Sequence, residues 1–193
     1  MTNKKGFIIT ILSVILLILT ACGDNIETNM SEELPNHTFT TQDEEEVSLD
    51  ELNDEWSVAY FMYTNCTIVC PTTTPNMVSV QNELKNDGLT PQIISFSIDP
   101  SFDTPEVLKD YADDFGADLD HWSFLTGNEF KDIQKLSEQT FNSVLEDGGP
   151  DSHQYVHSTN FFLINPKGEI IKQYDGMSSK QTNLLIEDLK EVM

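Results

Sequence analysis

The amino-acid sequence predicts an α/β sandwich: a central mixed sheet flanked by helices and closed by a C-terminal β-hairpin and helix. Three observations carry this. Apolar, β-branched and aromatic runs alternate with segments of helical three-to-four spacing. Turn residues at Asn165-Pro166-Lys167-Gly168 join the last two apolar runs ahead of an amphipathic terminal segment. Two cysteines, Cys66 and Cys70, fall where an aromatic-rich run gives way to a helix.

The first 35 residues lie outside that pattern. Lys4 and Lys5 precede an apolar stretch over residues 7–19, short for a bilayer span and suited to the core of a signal peptide. Leu19-Thr20-Ala21-Cys22 then resembles a bacterial lipoprotein signal, which predicts removal of residues 1–21 and acylation of Cys22. An uncleaved signal anchor is the alternative. Both readings tether the protein to the cell membrane on its extracytoplasmic side, and several acyl chains on one residue anchor stably. Residues 22–35 are polar and acidic, with one proline, and read as a flexible tether.

The globular pattern covers residues 36–193. Residues 37–41 read as a short strand and 47–52 as an acidic turn region with apolar beats. Residues 56–63 are aromatic-rich and nearly continuous in hydrophobicity, which predicts a central strand covered on both faces. Pro71 and Pro75 open a helix to about residue 85, with Met77, Val80 and Leu84 on one side and Asn86-Asp87-Gly88 as its stop. Residues 92–99 are the second strong strand. Asp103-Thr104-Pro105-Glu106 caps a helix running to about residue 115. A short strand follows at 122–125, then a helix at 128–141 with Phe130, Ile133, Leu136 and Phe141 on its apolar side. Gly148, Gly149 and Pro150 mark a loop over 147–151. Residues 158–164 and 169–174 are the hairpin strands, and 181–192 the closing helix. This order is that of a thioredoxin-like sandwich, whose redox site lies where a central strand ends, the place of Cys66 and Cys70.

The chain carries 33 acidic residues against 10 basic ones, a formal net charge of −23, and every basic residue is a lysine. Such a surface repels nucleic acid and anionic headgroups. The lack of arginine, the bidentate phosphate binder, also argues against phosphate handling. The acidity itself is that of a solvated surface, or one that attracts cationic partners. One domain with a substantial core fits the length.

Cys66 and Cys70 are the only cysteines beyond Cys22. With three residues between them they can bridge as a disulfide or hold one soft metal ion. His157, just before an apolar strand, is the candidate third member of the site. His153 lies four residues earlier in the Gly/Pro/Asp loop and is its rival; His37 and His121 have no such context. Two thiolates and an imidazole suit copper in either common oxidation state, and three ligands leave the ion accessible. Zinc fits the same donors, but its structural sites usually close with a fourth ligand, and no fourth cysteine exists. A structural disulfide is the plainer reading of the pair, although a staple across three residues stabilises little. Met62 and Met77 fall on buried-pattern elements and read as core.

Four segments carry a resemblance. They are Tyr63-Thr64-Asn65-Cys66-Thr67-Ile68-Val69-Cys70-Pro71; Ser97-Ile98-Asp99-Pro100-Ser101-Phe102-Asp103-Thr104-Pro105-Glu106; His157 followed by Phe161-Phe162-Leu163-Ile164; and Asn165-Pro166-Lys167-Gly168. Together they resemble the Sco/SenC family, thioredoxin-fold proteins that handle copper for cytochrome c oxidase assembly. The resemblance runs from about residue 37 to the C-terminus. Thr67 stands where many relatives carry proline, a change expected to alter loop stiffness and not ligand identity. The acidity and the apparent lipid anchor differ from transmembrane-anchored relatives.

The resemblance implies one copper ion, Cu(I) or Cu(II), held by Cys66, Cys70 and His157. It implies a metallochaperone or thiol reductase role at the dinuclear copper site of an oxidase subunit, with that subunit as partner. A thioredoxin-like reductant or another copper donor would be a further partner. Asp99 matches the second signature and is either an acceptor orienting the site or simply a strand end; Asp103 reads as a helix cap. The rival function is an extracytoplasmic thiol–disulfide oxidoreductase or redox sensor, with Cys66 attacking, Cys70 resolving and His157 tuning the thiolate. A thiol peroxidase would need an arginine beside its cysteine, and the chain has none.

Overall fold

A computed structural model describes residues 26–52, 54–149 and 154–193. The expected signal segment, Cys22 and His153 lie outside the described residues. The strands are β1 (Glu32–Glu33), β2 (Thr38–Thr41), β3 (Glu46–Ser48), β4 (Ser57–Met62), β5 (Gln92–Ser97), β6 (Trp122–Thr126), β7 (Leu145–Glu146), β8 (Val156–His157), β9 (Asn160–Ile164) and β10 (Glu169–Asp175). The α-helices are α1 (Cys70–Asn86), α2 (Pro105–Phe115), α3 (Phe130–Gln139) and α4 (Ser179–Val192). Eight strands form one mixed sheet in the order β1-β10-β9-β4-β5-β6-β2-β3, and β7 pairs with β8 alone.

β4 sits at the centre because all six of its side chains are buried. It pairs in parallel with β5 and antiparallel with β9, so its hydrophobicity is continuous and not alternating. Its neighbouring aromatics divide between the two faces. Tyr60 packs edge-on to Trp122 and Phe161, whereas Phe61 meets Phe96, Phe141 and Phe162. α1 packs against α4 and α2, and a hydrogen bond of 2.8 Å between the hydroxyls of Thr74 and Tyr111 joins α1 to α2.

The hairpin between β9 and β10 follows its turn chemistry. The Asn165 side-chain oxygen accepts from the N–H groups of Lys167 and Glu169, and Gly168 takes φ +78°.

Three expectations need correction. Residues 26–35, read as tether, lie along the sheet. Ile26 is buried, β1 pairs with β10, and the N–H groups of Asn29 and Met30 both reach the Ile171 carbonyl. The edge of β10 away from β9 supplies backbone partners that a polar sequence uses as readily as an apolar one. Residues 145–146 and 156–157, to which the sequence assigned no strand, form a two-residue ladder. Finally, Thr104 and not Asp103 caps α2: its side chain accepts from the Val107 N–H. Helix and strand ends elsewhere shift by a few residues. Among the described residues, no helix is long and apolar enough to cross a membrane.

Candidate metal centre

β4 delivers the chain to Tyr63, and residues 64–69 loop over its end before α1 begins at Cys70. The N-cap Val69 offers no side-chain acceptor. Instead the Cys66 sulfur accepts the Cys70 N–H at 3.3 Å, at the positive end of the helix dipole. Cys66 is 7 % exposed and Cys70 1 %, and both are free thiols.

His157 approaches from β8. Its Nε2 lies 3.9 Å from the Cys70 Sγ. Its Nδ1 lies 2.9 Å from the Ser158 carbonyl. A carbonyl only accepts, so Nδ1 carries the proton and the Nε2 lone pair is left for a ligand. Tyr63 packs edge-on to the imidazole at 5.7 Å, which fixes the ring plane. The ligating atoms of Cys66, Cys70 and His157 all lie within 4.8 Å of one another, so a single ion can touch all three.

The two thiols are electrostatically unequal. A hydrogen bond from the Cys70 thiol holds the Cys66 thiol far below the ordinary thiol range, against the effect of burial; the N–H groups of Cys70 and Ile68 add to the lowering. Cys70 moves the other way, because it donates to Cys66 and because it is buried, with the charges of Cys66 and Asp103 adding to the rise. The metal-free reduced pair is therefore one thiolate, Cys66, and one thiol, Cys70.

Asp103 is the carboxylate that reaches the cysteine loop. It is fully buried and accepts the Thr64 N–H at 3.2 Å, the Thr64 hydroxyl at 2.5 Å and the Ser97 hydroxyl at 2.6 Å. Burial raises its pKa and these hydrogen bonds oppose the rise. Asp99 lies further out: its carboxylate accepts from the Ser101 hydroxyl at 2.7 Å, and its charge adds to burial in raising the pKa of Tyr155. Tyr155 in turn packs on Tyr63, so Asp99 is two aromatic rings from the imidazole. Met62 and Met77 are buried core residues. His37 bonds Asn128 and His121 faces Gln92, both apart from the thiols. Gln154, which carried no signal in the sequence, places its amide against the cysteine loop.

The donor set fits a soft or borderline ion: two sulfurs, one of them already a thiolate, and a neutral imidazole nitrogen. It also fits thiol–disulfide exchange, since the thiolate is the less buried sulfur.

Comparison with known proteins agrees with this geometry. The sequence profile of the SCO1/SenC family matches residues 26–193. A crystal structure of a SCO1/SenC family lipoprotein from Bacillus anthracis superposes with a TM-score of 0.79 at 37% identity, covering 83% of this chain and 95% of that one. BsSco, described as a member of the Sco family of cytochrome c oxidase assembly proteins with a disulfide switch, superposes at 0.78 with 34% identity over 86% and 96% of the two chains. The copper-bound structure of ScoI from Bradyrhizobium japonicum shares the fold at 0.69, with 22% identity over 82% and 98%. With its profile match spanning the whole described body and its thioredoxin-like sheet carrying the Cys66–Cys70–His157 cluster, the chain belongs to the SCO1/SenC family.

Proposed function

We propose that this protein is a membrane-anchored copper-binding assembly factor. It takes one copper ion, as cargo, through Cys66, Cys70 and His157. It then passes the ion to the dinuclear copper site of a cytochrome c oxidase subunit, or prepares that site's thiols. The convergence of two sulfurs and the free Nε2 lone pair within 4.8 Å is the observation that carries this reading. Support comes also from the copper-bound relative and from the oxidase-assembly description of BsSco. In this reading Cys22 bears the lipid anchor, on the extracytoplasmic side, and a thioredoxin-like reductant or another copper donor keeps the site supplied.

Anaerobic copper titration of the reduced full-length protein in detergent micelles tests it. The expected result is one tightly held copper with a thiolate-to-copper charge-transfer band, lost in Cys66→Ser and Cys70→Ser. Superstoichiometric binding without that band would overturn it.

A second reading, thiol–disulfide exchange, is favoured by the unequal thiols. The Cys66 thiolate attacks one sulfur of a partner disulfide and expels the other as a thiolate. Cys70 then gives up its proton and attacks Cys66 in the mixed disulfide. The partner leaves reduced with both electrons, and a Cys66–Cys70 disulfide remains. Three residues between the cysteines, against two in typical oxidoreductases, count against this as the main role.

A further inference from the structure

His157 is weakly placed by the main sheet. It lies on β8, whose only strand partner among the described residues is the equally short β7, and the sheet proper resumes at Asn160. A ligand on so slight a support needs another tie to the thiols. Three residues before it, the Gln154 amide provides one.

The Gln154 Oε1 accepts from the Tyr63 hydroxyl at 3.0 Å, the Thr67 hydroxyl at 3.2 Å and the Thr67 N–H at 3.3 Å. Its Nε2 donates to the Asn65 carbonyl at 3.2 Å. Asn65 and Thr67 are the two chain neighbours of Cys66, so one amide straddles the thiolate-bearing residue. The Tyr63 hydroxyl closes the circuit by accepting the Tyr155 N–H at 3.3 Å. The network fixes which way the amide points: three donors face its oxygen and a carbonyl faces its nitrogen, and the flipped amide would set donor against donor.

We propose that Gln154 is a positioning residue whose amide latches the segment carrying His157 to the loop carrying Cys66, and so sets how firmly the third ligand is held over the two sulfurs. The copper half of this statement rests on the proposed function; the latch itself does not. Gln is the side chain that suits the place. Glu keeps the acceptor but has no donor for the Asn65 carbonyl, Asn is one methylene too short to span both loops, and Ala does neither. Partners one step behind a metal ligand typically change metal affinity by about 10- to 100-fold when removed.

The test uses the full-length reduced protein, first without metal. In Gln154→Ala, amide hydrogen exchange at Thr67 should rise by about tenfold or more. The nuclear Overhauser contact between the His157 and Tyr63 rings should weaken. Gln154→Glu should keep Thr67 protected, because its oxygen still accepts, while copper leaves it faster than wild type. Copper transfer to a chelator in excess should run about tenfold faster from Gln154→Ala, with a shifted charge-transfer band. A residue that served only the fold would change the unfolding midpoint and leave these signals in place. Unchanged exchange and ring contact in Gln154→Ala overturns the latch. So does faster exchange with an unchanged copper off-rate and band. If the wild type holds no copper, the proposed function fails, and the metal-free measurements still decide the latch.

Discussion

The buried carboxylate of Asp103 receives both the backbone N–H and the hydroxyl of Thr64, two residues before Cys66. The same carboxylate takes the Ser97 hydroxyl at the end of β5, and the Asp103 carbonyl takes the Thr126 hydroxyl at the end of β6. One residue thus gathers the ends of two parallel strands and the start of the cysteine loop. Asp103→Ala leaves the Thr64 and Ser97 donors without a partner and should cost about 3 kcal/mol, read as the shift of the urea midpoint. Asp103→Asn, which keeps one oxygen acceptor, should cost less. An alanine variant unfolding at the wild-type urea concentration would remove Asp103 from this role.

The inequality of the thiols predicts which sulfur reacts and over what pH range. The Cys66 pKa is lowered, so the thiolate persists as pH falls below the ordinary thiol value. In the metal-free reduced protein, iodoacetamide should modify Cys66 at a nearly constant rate from about pH 8 down to about pH 5, where an ordinary thiol slows about tenfold per pH unit. Cys70, pushed up by its donation to Cys66 and by burial, should react slowly throughout. Peptide mapping by mass spectrometry assigns the site. Preferential modification of Cys70 would invert the assignment.

His157→Ala separates metal binding from sulfur chemistry. It removes one of three donors but neither thiol. Copper affinity should fall by about 100-fold or more, while the rate of reduction of a small aromatic disulfide changes by less than about threefold. Equal losses in both assays, or none in either, would contradict this division of labour.

Away from the site, Lys172 and Asp188 form a buried ion pair at 2.6 Å, joined by the Tyr174 hydroxyl. Lys172→Met strands the Asp188 carboxylate in the interior and should cost about 3–5 kcal/mol; adding Asp188→Leu should recover most of that loss. Chemical denaturation of the two variants checks it. A double variant no more stable than the single one would mean that the pair contributes net stability to the join between α4 and β10.

What the sequence revealed depended on how much of each signal was local. β4 was legible because both its faces are covered, and the β9–β10 turn because Asn165 and Gly168 satisfy it within four residues. The meeting of Cys66, Cys70 and His157 was legible from the placing of each at the end of a strand or the start of an element. β1 was not, since Glu32 and Glu33 pair through backbone alone. Asp103 and Thr104 are both good caps in adjacent positions, and only packing decides which turns inward. Gln154 was beyond reach: its partners lie 87 to 91 residues earlier in the chain.

The pairing of β1 with the rim of the sheet also sets a reach. Chain that was read as a 14-residue tether is sewn down from Ile26 onward. With Cys22 as the proposed lipid attachment, only four peptide links separate it from Ile26, a span of at most about 15 Å. That is shorter than a compact domain of this length is wide. Under the proposed anchoring, a body so closely moored would work at headgroup height; it would meet membrane-bound acceptors by lateral diffusion in the bilayer plane, and a freely diffusing donor would come to it.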